Sequence, residues 1–418
     1  MFLARMLILL FIIVGLHTVS VYAEAGTPKG SGQAYSLQDI LALALEHNPS
    51  MTESQGVIDQ KAGGEISAFA YPNPTLSLQS ARGKVRDPSG ITLTERYVTL
   101  SQPLEWPGKR AADQRAAQAG LESARASKDE QTLNLIAVTK QAFYHLLLAE
   151  RQTEMDEQNV LTMQEVREAV ILRVKAGEAP PFEAVKVKVE AMKAQKEFAR
   201  AKGRIRTFQA SLNNLTAGAL GTDFTIQGNF AIMPSELPLT KFTEQDLVHH
   251  PAIIKWQKLV EEAQQAHRRE QQARIPDVTI TGSYQRDAGR EAYVGALSIP
   301  FPVWNQRQGE IAQAKGTLRQ QEASLLRVKY ELLKGVTQQI QISKTASAQI
   351  AMYEEGLLKQ AKEALRIAQV SFKFGEASLL DLLDAQRVLR QTFQEYAQAR
   401  FDLAIALTEL ERLVGREL

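Results

Sequence analysis

The stretch AGEAPPFE at residues 176–183 returns as FGEASLLD at residues 374–381, so part of the chain is written twice. Four further landmarks recur in the same order at nearly the same separation. They are HNP and HHP (47–49, 249–251), PTLSL and PDVTI (74–78, 276–280), SQPL and SIPF (101–104, 298–301), and Leu215 with Leu413. Five landmarks in one order indicate an internal duplication. We therefore divide the chain into a first repeat, residues 24–240, and a second repeat, residues 241–418.

Long segments without an internal proline lead up to each copy of this stretch. Residues 107–177 and 308–375 predict helices of about 105 and about 100 Å at the usual helical rise. A shorter helix returns from each, at Pro181–Thr216 and Leu379–Val414. Helices of this length need neighbours along their whole length, as in a coiled coil or a helical cylinder.

Glycines mark the predicted turns and breaks of these helices. We expect Gly177 and Gly375 to end the long helices, because glycine adopts the left-handed cap conformation at little cost. Within the second long helix, Gly335 and Gly356 are the expected places for a break.

Short segments of alternating polarity precede each long helix and predict two β-hairpins. In order, the predicted elements are helices at 37–70 and 243–273, strands at 74–82, 91–101, 277–284 and 293–299, and turns at about 83–90 and 285–292. The predicted fold class is therefore mainly α with a small β part.

Four short strands cannot close a barrel alone, and an open sheet in lipid would leave edge amides and carbonyls unpaired. Three chains would supply twelve strands, which is within the range known for transmembrane barrels. The pattern therefore predicts a homotrimer with a 12-stranded transmembrane β-barrel and a long-helix α-barrel. Trp106 and Trp304 follow the second strand of each hairpin, where an aromatic belt at the membrane interface is expected. The alternative is that each fills a strand–helix corner.

The amino terminus and the composition indicate export rather than catalysis. Residues 1–23 combine Arg5, an apolar run and a small residue at Ala23, as in a cleavable signal peptide; an uncleaved membrane anchor is the alternative. The absence of cysteine excludes disulfides, thiolate metal ligands and the cysteine of a lipid anchor. A net charge of +2 gives no support for nucleic acid as a partner. No catalytic triad or phosphate-binding loop is visible, so we predict neither an enzyme nor a cofactor.

The stretch at 372–385 closely resembles the helix-turn tip of the TolC family of outer-membrane efflux proteins, and residues 177–183 are similar to the family's first tip. The resemblance covers essentially the whole chain after residue 23. It implies a trimeric outer-membrane channel with its helices in the periplasm. Such a channel passively conducts a substrate received from a periplasmic adaptor and an inner-membrane pump of the resistance–nodulation–division type. Residues 101–110, SQPLEWPGKR, are similar to the branch that exports divalent heavy-metal ions of the cobalt–zinc–cadmium type.

The resemblance also places Asp381, Asp384 and Glu183 around the periplasmic mouth. Three copies of a carboxylate around a narrow aperture favour cations. Asp381 and Asp384 share one helical face because they are three residues apart. The alternative is an acidic pair near a helix start, where the helix dipole favours carboxylates.

The residues of the two turns resemble the family's adaptor-docking tips. They are Gly177, Pro180, Phe372, Gly375, Ala377 and Ser378. Ser378 is expected to cap the return helix, whereas Pro180 at the matching position has no hydroxyl to do so. Family members with a well-described closed gate carry tyrosine and arginine where this chain has Phe372 and Ala377. We therefore expect a different or weaker lock.

Two other functions fit the same pattern: a type I duct for protein or peptide secretion, and a periplasmic coiled-coil structural protein without a pore. His47, His249 and His250 suggest a metal site as a further interpretation. They precede prolines at a helix interruption, however, and no carboxylates converge with them, so we predict no metal site.

Overall fold

Both halves of the chain follow one order of elements: a helix, a β-hairpin, a long helix and a return helix. The structure, a computed structural model, describes residues 34–84, 92–233, 244–287 and 290–417. In the first half the elements are β1 (Ala34–Tyr35), α1 (Leu37–His47), α2 (Pro49–Phe69), β2 (Thr75–Lys84), β3 (Thr92–Leu104), α3 (Pro107–Lys175), α4 (Pro181–Leu215) and β4 (Thr225–Ile226). In the second half they are a 3₁₀ turn (Glu244–Leu247), α5 (Pro251–Gln272), β5 (Val278–Asp287), β6 (Arg290–Ser298), α6 (Gln308–Met352), a π-helical segment (Tyr353–Leu357), α7 (Leu358–Phe374) and α8 (Leu379–Val414). The predicted signal peptide, residues 1–23, and the predicted repeat boundary at 240/241 lie outside the described residues.

The long and the returning helices are confirmed, with one break. Helix α3 runs for 69 residues, and Pro107 is tolerated at its first turn because that N–H has no helical partner. The π-helical segment contains Gly356 and separates α6 from α7, as predicted. The break predicted at Gly335 is wrong, because α6 is continuous there. Gly335 instead permits close packing, since a Cβ atom at this position would lie 2.9 Å from Cδ1 of Leu413 on α8.

A reciprocal pair of hydrogen bonds ties the π-helical segment to α8. The Tyr353 hydroxyl donates to Glu395 at 3.1 Å, and the Tyr396 hydroxyl donates to Glu354 at 2.7 Å. The two rings lie 6.0 Å apart, edge to face. In the first repeat the residue that matches Tyr396 is Phe198, which has no hydroxyl to form such a bond. There α3 continues as a regular α-helix, without a π-helical segment.

The helix predicted at 37–70 is divided in two, and the one predicted at 243–273 begins late. Pro49 and Pro251 are the first residues of α2 and α5. Proline has no N–H to continue a preceding helix, and it restricts the residue before it to extended backbone. The single-helix prediction was therefore wrong at both places.

The residues before these prolines link each helix start to the end of a return helix. Asn48 accepts a hydrogen bond at 3.0 Å from the N–H two residues on, and the Nδ1 atom of His250 does the same at 3.1 Å. The Asn48 Nδ2 atom donates to the Leu215 carbonyl at 2.8 Å. The His250 Nε2 atom lies 3.0 Å from the Arg412 carbonyl and donates to it, because Nδ1 is already an acceptor. The two repeats thus make the same link with different side chains.

His250 is expected to make the fold sensitive to acid. Burial lowers the pKa of His250 below its ordinary value. The unfolded chain, with an imidazole pKa of about 6.5, therefore takes up the proton first as the pH falls. The stabilisation is complete above roughly pH 6.5 and is lost below it, because protonated Nδ1 cannot accept the helix-cap hydrogen bond. Urea unfolding between about pH 7.5 and about pH 5 measures this loss.

The matched variant is His250→Asn, because Asn48 makes both hydrogen bonds at the equivalent place. This variant should remove the part of the pH dependence that comes from His250 while keeping the cap. An unchanged pH dependence in the variant would show that other groups cause it.

β2, β3, β5 and β6 form one antiparallel sheet in that order. The second turn is tighter than the predicted 285–292, since Asp287 pairs with Arg290. The register places alternate residues on opposite faces. One face, here called the apolar face, carries Leu76, Leu78, Val98, Leu100, Leu104, Val278, Ile280, Tyr284, Tyr293 and Leu297. The opposite, polar face carries mainly Thr75, Ser77, Gln79, Glu95, Tyr97, Thr99, Ser101, Thr279, Thr281, Ser283 and Gln285.

The main core lies near the middle of α3, where the two repeats meet. Phe143 and Leu146 of α3 pack with Leu212 of α4 and Ala404 of α8, and all four are fully buried. None of the described helices is both long and apolar enough to cross a membrane.

Candidate functional site: the two helix tips

The turns after α3 and α7 have the same backbone geometry. Gly177 and Gly375 both have a φ angle of +78°, in the left-handed region. In each turn the N–H that follows the glycine donates to a carbonyl of the last helical turn, at 2.9 Å in the first repeat and 2.8 Å in the second. This pairing is the Schellman motif. The predicted role of both glycines as helix ends is confirmed.

The return helices begin differently. Ser378 and Asp381 form a capping box, in which the Asp381 N–H donates to the Ser378 hydroxyl at 3.2 Å and the Ser378 N–H donates to the Asp381 carboxylate at 2.9 Å. Pro180 begins α4 with no side-chain cap. Both expectations are confirmed. The start of the second return helix therefore has a side-chain cap that the first lacks.

The predicted acidic residues lie on the surface of the tips. Asp381 and Asp384 are exposed on one face of α8, and Asp384 forms an ion pair with Arg387. Hydrogen bonds from the side chain and backbone of Ser378 lower the pKa of Asp381. Glu183 lies on the other tip, and within the described residues it makes no hydrogen bond or ion pair to either aspartate. The capping interpretation thus holds for Asp381 in a single chain, and the ring of carboxylates stays a prediction.

Phe372 lies beneath the tips rather than on their surface. Its side chain is only 6% exposed and packs among Val170, Val187 and Leu382. The Arg173 guanidinium lies 4.9 Å from the centre of the Phe372 ring, and its Nη1 atom donates to the Phe372 carbonyl at 3.4 Å. Phe372 therefore joins the two repeats. Any effect it has on docking acts through the position of the tips.

Three exposed apolar side chains at the tips were missed by the sequence analysis. Phe182, Phe374 and Leu380 are 71%, 73% and 61% exposed. Phe182 and Leu380 occupy matching positions near the starts of the two return helices. A large apolar residue beside a glycine turn, repeated in both copies, was the signal that could have identified them.

The two tryptophans differ. The Trp106 backbone N–H donates to Asp277 at 3.0 Å, and its indole N–H donates to Gln272 at 3.1 Å, which ties α3 to the end of α5 and the start of β5. Trp304 is 92% exposed. Trp106 therefore fills a corner, as the alternative interpretation held, and the aromatic belt stays a prediction that Trp304 fits better.

No group of three or more histidine or acidic side chains that could hold a metal is found in the described part of the chain. His250 is only 4% exposed and is occupied by the cap described above. His47 lies 3.9 Å from Glu46, at the end of α1.

Known proteins share both the sequence pattern and the fold. The pattern that defines the outer membrane efflux protein family matches residues 40–218 and 243–416. The chain is 26% identical over 394 residues to the cobalt-zinc-cadmium resistance protein CzcC of Cupriavidus metallidurans. This alignment covers 93% of this chain and 92% of that protein. It is 22% identical to the outer membrane efflux protein BepC of Brucella suis, over 91% of this chain and 85% of that one. The crystal structure of CusC has the same fold, with a TM-score of 0.82 at 16% identity over 91% of this chain and 92% of that one.

The family pattern thus spans both repeats, including the two tips. The structural neighbours are TolC-family channels, with the same long helices and short strands. The chain belongs to the outer membrane efflux protein family.

Proposed function

We propose that three copies of this chain form a passive outer-membrane channel that receives its substrate from a periplasmic adaptor and an inner-membrane pump. One observation carries the proposal: a sheet with one apolar face and the two helix tips lie at opposite ends of a 69-residue helix. Such a helix is about 100 Å long, enough to span a periplasm between two membrane-bound assemblies. The twelve strands of three chains would close the barrel, with the apolar face toward lipid.

The tips are the proposed docking surface for the adaptor. Phe182, Phe374 and Leu380 expose apolar area beside two rigid Schellman turns. Apolar anchors on a rigid scaffold bind with little loss of conformational freedom, which favours a helical partner that packs between the turns. Gly177, Gly375 and Ser378 set the shape of this surface, and Ala377 is half-buried against the tip core.

The lock between the repeats at this end is proposed to be the contact of Arg173 with Phe372. It combines a cation–π contact with packing in the tip core. Phe372 has no hydroxyl to form a side-chain hydrogen bond across the helices. We therefore propose a lock held mainly by packing.

The proposed substrates are divalent heavy-metal ions. CzcC is named for resistance to cobalt, zinc and cadmium, and the resemblance to it spans nearly the whole chain. The SQPLEWPGKR segment stabilises the fold around the start of α3. Lys109 donates a hydrogen bond to Asp277 at 2.7 Å, and Arg110 donates hydrogen bonds to the Phe69 and Ala70 carbonyls. The proposal for metal ions therefore rests on the relative and on the acidic tip residues, not on this segment.

A series of charge variants at the second tip tests the channel. Asp381, Asp384 and Arg387 together carry one net negative charge per chain. Arg387→Gln should raise the cation preference, Asp384→Asn should lower it, and Asp381→Asn with Asp384→Asn should reverse it, because the local charge becomes positive. Reversal potentials of the purified trimer in planar bilayers under a salt gradient measure the preference.

Arg327→Gln is the control, because Arg327 is an exposed cation of α6 that is paired with Glu331 and lies away from the tips. Three charge variants with the same selectivity as the wild type would contradict a ring at the pore mouth. A wild-type protein that conducts no ions would contradict the channel itself.

A further inference from the structure

Three arginines lie on the apolar face of the sheet, at its end farthest from the helices. Residues an even number of positions apart in a strand lie on the same face. By this rule Arg82, Arg96 and Arg286 share the face of the leucine, valine or tyrosine residues of their strands. Arg96 and Arg286 are direct cross-strand partners, and Arg82 pairs with Thr94, two residues from Arg96. All three side chains are exposed. They therefore form one basic cluster at the far end of the face whose part nearer the helices is mainly apolar.

The charge of this cluster is not balanced within the described residues. Glu291 is the cross-strand partner of Arg286, with its Oε1 atom 3.6 Å from the Arg286 Nε atom. Arg82 and Arg96 form no hydrogen bond or ion pair with any residue that the structure describes. Like charges directly opposite each other destabilise an antiparallel pair. The cluster thus has two positive charges that an external anion would neutralise.

The position of the cluster along the strands matches a lipid headgroup region. Arg96 and Leu104 are separated by eight residues of β3, which is about 27 Å along the strand. A strand tilt of about 40° reduces this distance to roughly 20 Å along the barrel axis, close to the roughly 25 Å apolar band of such barrels. Leu104 is near the helices, so Arg96 lies at the opposite membrane interface.

The polar face has a different charge at the same level. Its described charged residues there are Glu95, Asp287 and Arg290, and Arg290 has Asp287 as its cross-strand partner. The excess of cations is therefore specific to the apolar face. A general preference of turns for basic residues does not explain it.

We propose that Arg82, Arg96 and Arg286 bind the phosphate groups of phosphorylated lipid headgroups in the leaflet farthest from the helices, one site per chain. Arginine presents several N–H donors in a fixed fork that matches phosphate oxygens. The hydroxyls of Ser80 and Thr94 lie in the same two cross-strand rows and add donors. The inference rests on the proposed membrane channel, because only insertion brings this cluster to headgroup level.

The test is lipid retention by the full trimer. Wild-type protein and the triple variant R82Q/R96Q/R286Q are placed in phosphatidylcholine nanodiscs with and without lipid A, and bound lipid A is counted by native mass spectrometry. The wild type should retain lipid A. The triple variant should bind it at least about tenfold more weakly, because each of the three substitutions removes charge-assisted hydrogen bonds to the phosphates. The control R290Q, which removes a cation from the polar face at the same level, should retain lipid A like the wild type.

Different outcomes of this experiment would contradict different parts of the proposal. A triple variant that inserts, conducts and retains lipid A like the wild type overturns the proposed site. Displacement of lipid A by millimolar inorganic phosphate would overturn the assignment to lipid and indicate a general anion site. A wild-type protein that conducts no ions counts against the proposed function instead. In that case the binding site is tested by comparing how much lipid A the wild type and the triple variant retain in detergent micelles.

Discussion

Replacing Gly375 by valine is expected to abolish efflux while leaving the amount of trimer unchanged. Gly375 has a φ angle of +78°, and no atom lies within 4 Å of the position that a Cβ would take. Valine would therefore meet no clash, but it would be strained by about 1–3 kcal/mol in the left-handed region. This strain is relieved most easily by opening the Schellman turn, which moves Phe374 and the start of α8. The tip would change shape while the core of the chain, far along the helices, stays intact.

Metal resistance in cells that supply the adaptor and the pump measures the loss, and trimer resistant to detergent on a gel measures folding. Gly375→Asn is the conservative variant, because asparagine tolerates the left-handed conformation, and it should retain most of the activity. Gly316→Val is the second control, since Gly316 also has open space around it but lies inside α6 with ordinary helical backbone. Loss of trimer in Gly375→Val would indicate a folding role, and normal resistance would show that adaptor docking tolerates a distorted tip.

Local features of the sequence predicted those parts of the fold that depend on local chemistry. The ends of α3 and α7 follow from Gly177 and Gly375, and the start of α8 follows from Ser378. These residues act within one turn of the chain, so their neighbours in sequence are also their neighbours in space. The two hairpins and the alternation of their faces are local in the same way, whereas the pairing of β3 with β5 joins the two repeats.

The remaining features depend on contacts between distant parts of the chain. The link from His250 to the Arg412 carbonyl joins residues 162 positions apart, and nothing near either residue signals it. Phe372 was expected among the docking residues of the tip because of the resemblance, yet the tip core buries it and Arg173 from the other repeat lies over its ring. Gly335 looked like a break because glycine is a poor helix former, but α6 continues through it and Leu413 of α8 packs closely against it. In each case the deciding partner belongs to another segment.

The contact between the repeats with the largest expected effect on stability is the ion pair of Lys140 and Glu411. The Lys140 Nζ atom lies 2.6 Å from the Glu411 Oε2 atom, and the residue Lys140 is 9% exposed. The pair joins the middle of α3 to the last turn of α8, next to the fully buried Leu410. Glu417 lies 4.0 Å from the same Nζ atom, but its side chain is 88% exposed, so solvent screens its charge and it contributes little. Removing Lys140 therefore leaves the Glu411 carboxylate, whose side chain is only 22% exposed, without its cationic partner.

Lys140→Met is expected to lower the free energy of unfolding by about 2–3 kcal/mol, less than the roughly 3–5 kcal/mol of a fully buried pair, because Glu411 is partly exposed. The double variant K140M/E411M should recover most of this loss, because a well-packed apolar pair often replaces a buried ion pair at little cost. Urea unfolding in detergent, followed by circular dichroism, gives the four stabilities of the double-mutant cycle. Lys193→Met, which breaks an exposed pair with Glu190, should change the stability by less than about 1 kcal/mol. Equal effects of Lys140→Met and Lys193→Met would show that the repeats are joined by apolar packing alone, with no contribution from this charge pair.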